Sequence, residues 1–165
     1  MIVRPAGEAD IAAVTAIYGH HVLHGLGTFE EVPPEAPEMA ARIAGVTACG
    51  LPYLVAEGDG GIVGFACATP FRPRPAYRHT VEDSVYVAPG AARTGVGRAL
   101  LARVIAACEA RGLRQMIAVI GDSANVASIG LHAALGFDRV GLLTAVGFKH
   151  GRWVDTVWMQ RNLRS

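Results

Sequence analysis

Apolar positions along the chain fall into two rhythms, one of three and four residues and one of two, and the switches between them mark out the elements. Ile2 to Arg4 reads as a short strand that Pro5 ends, because proline removes an amide donor. Ile11, Val14, Ile17, Tyr18, His21 and Val22 then share one face at helical spacing, with Asp10 placed to cap the helix. Gly25, Gly27, Pro33 and Pro34 interrupt this pattern, and a second helix carries Met39, Ile43 and Val46. Tyr53 to Glu57 and Ile62 to Thr69, joined by Gly58-Asp59-Gly60-Gly61, predict a β-hairpin, since glycine supplies the positive φ of a tight turn. Pro70, Pro73 and Pro75 stiffen an extended loop, after which Thr80 to Val87 returns to strand.

From Gly97 the helical rhythm resumes through Leu100, Leu101, Val104, Ile105 and Cys108 and stops at Gly112. Leu113 to Ile120 reads as a strand, and Ala124 to Leu135 as a helix closed by Gly136. Phe137 to Leu143 and Trp153 to Gln160 are closing strands. A strand, two helices, a three-strand meander and then strand–helix alternation predict a mixed sheet covered by helices, an α/β or α+β fold. No repeat, low-complexity tract or linker divides the chain, so residues 1–165 read as one domain.

Composition narrows the function classes. A hydrophobic fraction of 52% against 18% charged residues argues for a sizeable core and against disorder. Fifteen Lys plus Arg against fourteen Asp plus Glu leave a formal charge of +1, so nothing pulls the whole molecule onto nucleic acid or anionic lipid. Apolar stretches such as Ala99 to Cys108 are broken by arginine, well short of the roughly 18 residues of a membrane span. The N-terminus lacks the features of a secretory signal, and Cys49, Cys67 and Cys108 have neither disulfide nor zinc spacing. They read as reduced core thiols in a cytoplasmic protein. His20, His21, His24 and His79 lack metal-ligand spacing with acidic partners, so no metal is expected.

The chemistry concentrates in Val85 to Arg98, a strand feeding a glycine-rich loop that opens a helix. The unpaired amides of a first helical turn, with the positive dipole end and Arg93 and Arg98 beside them, suit phosphate oxygens. An ordinary glycine cap is the competing reading. A dinucleotide-binding turn is disfavoured by the missing third glycine, and a Walker loop by the missing Gly-Lys-Ser/Thr.

Ala92, Arg93, Thr94, Gly95, Val96 and Gly97, followed by Asn125 and the Gly136-Phe137 pair, resemble the GNAT superfamily of acyl-CoA-dependent N-acetyltransferases. There the loop reads Q/R-x-x-G-x-G/A; Ala92 departs from it and both glycines are in register. Thr80 to Val87, Ala118 to Gly121, Leu131 to Phe137 and Lys149 to Trp153 are similar to phosphinothricin N-acetyltransferases, and the similarity covers nearly the whole chain. It implies a mixed, mostly antiparallel sheet of about six or seven strands flanked by helices. It also implies acetyl-CoA as cosubstrate, no metal, a small amino-acid-like acceptor and a homodimer.

Roles follow from the resemblance. Val85, Tyr86 and Val87, on a splayed strand, would bind the pantetheine arm. Arg93, Thr94, Gly95, Val96, Gly97 and Arg98 would hold the diphosphate, and Asn125 and Ser128 would line the cofactor. His132 stands where relatives often place a tyrosine acid for the thiolate. Adjacent strand residues point to opposite faces, so only one of Glu82 and Asp83 is expected in the cleft. Glu82 is read as the base, and Asp83 as acceptor contact or structural. Arg72 and Arg74 would grip an acceptor carboxylate or phosphinate, beside Ser84, unless they pair with those acids or stay in solvent. Phe29 and Glu30 would close the pocket or anchor their loop. Lys149, His150, Arg152 and Trp153 form either a solvated hairpin or a segment near a subunit interface. Without a cysteine in the motif positions attack should be direct, with Cys67 the thiol to test otherwise. The rivals are a noncatalytic acyl-CoA sensor and an acetyltransferase for a polyamine or a protein N-terminus.

Overall fold

In the computed structural model, which describes residues 1–163, seven strands form one sheet in the order β1-β2-β3-β4-β5-β7-β6. They are β1 (Ile2–Pro5), β2 (Tyr53–Gly58), β3 (Gly61–Pro70), β4 (Thr80–Val87), β5 (Gln115–Gly121), β6 (Asp138–Lys149) and β7 (Arg152–Asn162). Only the β4–β5 pairing is parallel. Four helices cover it: α1 (Ile11–His24), α2 (Ala36–Ala48), α3 (Val96–Ala110) and α4 (Val126–Ala134). Among the described residues no helix is long and apolar enough to cross a membrane.

Strand alternation sends the core to two sides. On one, Leu100, Leu101, Val104 and Cys108 of α3 pack on Ala66, Ala68, Val81 and Met116. On the other, Val14, Tyr18 and Val22 of α1 and Met39 of α2 cover Tyr53, Val55, Phe65 and Cys67. The hairpin read from Gly58 to Gly61 joins β2 to β3. The closing strands run further than their apolar pattern, because β6 is an outer strand with exposed residues on both faces. They meet at His150 and Gly151, whose φ of 52° and 72° suit a two-residue hairpin turn.

Three expectations need correction. Asp10 makes no side-chain cap to α1; its carboxylate closes the preceding 3-10 turn by accepting from the Gly7 amide at 2.7 Å, and binds Arg4. Cys49 is exposed, so only Cys67 and Cys108 are core thiols. Lys149 is no solvated hairpin residue: it is 2% exposed and its Nζ donates to the Thr28 carbonyl at 2.7 Å.

Candidate active site

The site begins with a strand that loses its neighbour. β4 pairs with β3 from Val81 to Val87 but with β5 only from Thr80 to Glu82, after which the two strands part. Ala88 N–H donates to the Val63 carbonyl and Phe71 N–H to the Thr80 carbonyl, so even-numbered residues of β4 turn their peptide groups toward β3. The peptide groups of Asp83, Val85 and Val87 therefore face the gap. One of them is occupied, because His21 donates from Nε2 to the Val87 carbonyl at 2.8 Å. Bare strand edges are costly unless something covers them, and this edge borders a cavity of about 470 Å³.

The cavity is lined from both sides of the sheet. Tyr86 packs among Tyr18, His21 and Phe65 on the α1 side, whereas Val85 and Val87 pack into the α3 side. Glu82 and Asp83 do point to opposite faces, yet both line the cavity, as does Ser84. The expectation that only one could enter is corrected: alternation excludes one side chain from a cleft lying on one face, whereas this cavity spans both faces at the splay.

Glu82 is half-buried, and its carboxyl is raised above its ordinary value by burial first and the Asp83 charge second, against a smaller lowering by Arg72. Asp83 bonds to His132 rather than standing open for an acceptor: His132 Nε2 lies 3.0 Å from Asp83 Oδ2. His132 Nδ1 lies 2.7 Å from the Ser128 carbonyl. Burial by itself pulls the imidazole down, but the Asp83 hydrogen bond and charge, helped by the Ser128 carbonyl, outweigh it and the net shift is upward. Arg72 and Arg74 are both exposed, line no part of the cavity and form no ion pair among the described residues. Arg72 stacks on Phe71 at 5.1 Å.

Beside the bare edge lies the glycine loop. Arg93 and Gly95 take positive φ of 64° and 88°, and the first helical bond of α3 runs from Ala99 N–H to the Gly95 carbonyl. The amides of Val96, Gly97 and Arg98 precede that bond and have no helical partner. Thr94 Oγ1 donates to the Ala91 carbonyl and holds the turn, while the Arg93 and Arg98 side chains are exposed. Gly97 allows a close approach: a Cβ there would stand 3.3 Å from Leu131 Cδ2 and 3.6 Å from Val87 Cγ2. Residues 93–98 thus adjoin the bare edge without lining the cavity itself. Asn125 Oδ1 caps α4 by accepting from Ser128 N–H, and both residues line the cavity. This combination fits a long anionic thioester, with amides for phosphate oxygens and strand peptides for an amide-bearing arm.

Sequence reasoning named Phe29 for the remaining wall, as a residue that closes the pocket or anchors its loop, but not the extent of that wall. Residues 25–29 close the cavity from the α1 side, with Phe29 in the lining. They sit so close to the sheet that a Cβ on Gly121 would fall 2.0 Å from the Leu26 carbonyl, and one on Gly147 2.3 Å from the Phe29 ring. Lys149 ties down the same loop through Thr28. Glu30 lies outside the lining, held by Arg42 at 2.7 Å and by Tyr18. The glycines were visible in the sequence, but what crowds them was not. Cys67 is buried and its thiol is pushed up to about 12 by burial, which makes it a poor nucleophile.

Comparison with known proteins agrees with this geometry. Residues 21–137 match the model of the acetyltransferase (GNAT) family. The chain is 59% identical over 163 residues to a phosphinothricin N-acetyltransferase of Alcaligenes faecalis, covering 99% of this chain and 83% of the relative. It is 39% identical to an L-methionine sulfoximine/L-methionine sulfone acetyltransferase of Salmonella typhimurium, covering 99% and 95% of the two chains. The crystal structure of a GNAT superfamily phosphinothricin acetyltransferase from Sinorhizobium meliloti, in complex with AcCoA, superposes with a TM-score of 0.94 at 50% identity, over 98% of this chain and 87% of that one.

Proposed function

The chain belongs to the acetyltransferase (GNAT) family, and from that premise we propose that it transfers acetyl from acetyl-CoA to the α-amine of a small amino-acid-like acceptor, in a ternary complex. Phosphinothricin, methionine sulfoximine and methionine sulfone, for which its relatives are named, are the acceptors to expect. The observation that carries this reading is the cavity through the sheet, with Glu82 on the α1 side and the Asp83–His132 pair on the α4 side of one bare strand edge.

Each residue has a task. The Val85 peptide group and the Val87 N–H orient the pantetheine arm beside Tyr86, and the amides of Val96, Gly97 and Arg98, with Arg93, Thr94 and Gly95, hold the diphosphate. Asn125 and Ser128 border the same arm. Glu82 takes a proton from the entering ammonium, a task its raised carboxyl suits. His132 supplies the proton for the departing sulfur. Arg72 reaches Glu82 electrostatically, and Arg72 and Arg74 attract the acceptor's acid group from the rim.

We also infer a homodimer, supported by the exposed apolar residues Val140, Leu142, Val146 and Phe148 along outer strand β6, with Trp153 beside them. A cytoplasmic setting is supported by three unpaired thiols. Acetyl-CoA turnover measured over amino acids, polyamines and the named analogues tests the reading. Turnover confined to compounds with an α-amine beside an acid group is expected, and preference for a polyamine would overturn it.

A further inference from the structure

The partners of His132 fix its state. The Ser128 carbonyl at 2.7 Å can only accept, so Nδ1 carries a hydrogen. Nε2 then faces Asp83 Oδ2 at 3.0 Å, and a bare lone pair there would repel the carboxylate. A second hydrogen lies between them, and the two side chains share one ionisable proton. The pair is well enclosed: His132 is 4% and Asp83 7% exposed, and Phe137 meets the imidazole edge-on at 5.0 Å. The other carboxylate oxygen, Asp83 Oδ1, is buried without a hydrogen-bond partner, on a residue that lines the cavity.

The other ionisable groups that feel Asp83 are Glu82 on its own strand, Cys67 on β3 and Cys108 on α3. Burial pushes both thiols up to about 12, so they stay neutral. Among the described residues His132 is the one cation bonded to Asp83. A buried carboxylate with a single cationic partner holds that partner's charge in place.

We propose that Asp83 is a positioning residue that keeps His132 as a doubly donating imidazolium on the cofactor face of the sheet, so that the pair is the proton store for the departing thiolate. Of the two roles the sequence leaves open for Asp83, acceptor contact or structural, this proposal takes the structural one. This rests on the acetyl-transfer reading above. In the transfer, the acceptor's lone pair forms the C–N bond, the C–S bond breaks and its electron pair stays on sulfur. Sulfur takes the shared proton, leaving neutral His132 beside ionised Asp83. Glu82 takes the nitrogen's proton, and exchange with solvent returns one to the pair.

Two measurements on the full chain test this. Nitrogen NMR of ¹⁵N-histidine-labelled protein reads His132 directly: both ring nitrogens protonated at pH 7 is expected, and an unprotonated Nε2 would overturn the proposal. This readout needs no activity, so it stands even if the acceptor reading fails. In kinetics, Asp83→Asn should lower kcat by about 10- to 100-fold with acceptor KM within about twofold, and move the high-pH limb of the rate downward. A raised acceptor KM at unchanged kcat would restore the acceptor contact instead. Combining Asp83→Asn with His132→Gln should cost little beyond His132→Gln alone, whereas additive losses would show separate roles. Should Asp83→Asn not fold, the wild-type titration decides.

Discussion

At the scale of single residues, Glu82 and His132 make opposite demands on pH. Glu82 is raised by burial and by Asp83, so acetyl transfer should gain its base only above the ordinary carboxylate value of about 4.3. The low-pH limb of kcat/KM is expected above that value, and Glu82→Gln should lower kcat by roughly 10²–10⁴ and abolish the limb. His132 is raised in the fold, so its contribution to stability is complete below its unfolded value of about 6.5 and is lost as pH rises through the folded value. Denaturant unfolding across pH should show that loss in the wild type and not in His132→Gln. Glu82 and His132 can be singled out from the sequence and both line the cavity, but the bond between Asp83 and His132 cannot be read there. It joins residues 49 positions apart and depends on where α4 lands. The solvated reading of Lys149 fails for a similar reason: a lysine is normally solvated, and its burial here hangs on the carbonyl of Thr28, 121 residues earlier.

At the scale of elements, the site depends on backbone approaches that only glycine permits. Gly121→Ala puts a Cβ against the Leu26 carbonyl, where no side chain can rotate aside, so residues 25–29 must lift. A loss of about 1–3 kcal/mol is expected in denaturant unfolding, together with reduced kcat/KM. Gly60→Ala meets nothing within 4 Å and should leave both unchanged. Helix α3 carries the glycine loop on a core of Leu100, Leu101 and Val104, each fully buried. Leu100→Ala should cost roughly 2–5 kcal/mol of stability. Helical and strand rhythms located these elements well, because a buried face repeats along the chain. The outer strand β6 was read too short, because an exposed edge leaves no alternating record of its length.

At the scale of the whole molecule, the order of elements pointed to a mixed sheet, and the family resemblance supplied its mostly antiparallel pairing. The separation of β4 from β5 follows from neither periodicity nor composition; it came from the resemblance and is visible here as paired strands that part after Glu82. That gap joins the two faces of the sheet and lets one cavity take Glu82 from one side and the Asp83–His132 pair from the other, the placement that the proposed base and proton donor require. With a net charge of only +1, the grip on an anionic cosubstrate must be local. A structure of the protein with coenzyme A is the most direct test of this account. The pantetheine arm should hydrogen-bond to the Val85 peptide group and the Val87 N–H and the diphosphate should rest on the amides of Val96 to Arg98, with the sulfur between Glu82 and the Asp83–His132 pair. Coenzyme A bound elsewhere, with the gap beside β4 unfilled, would contradict it.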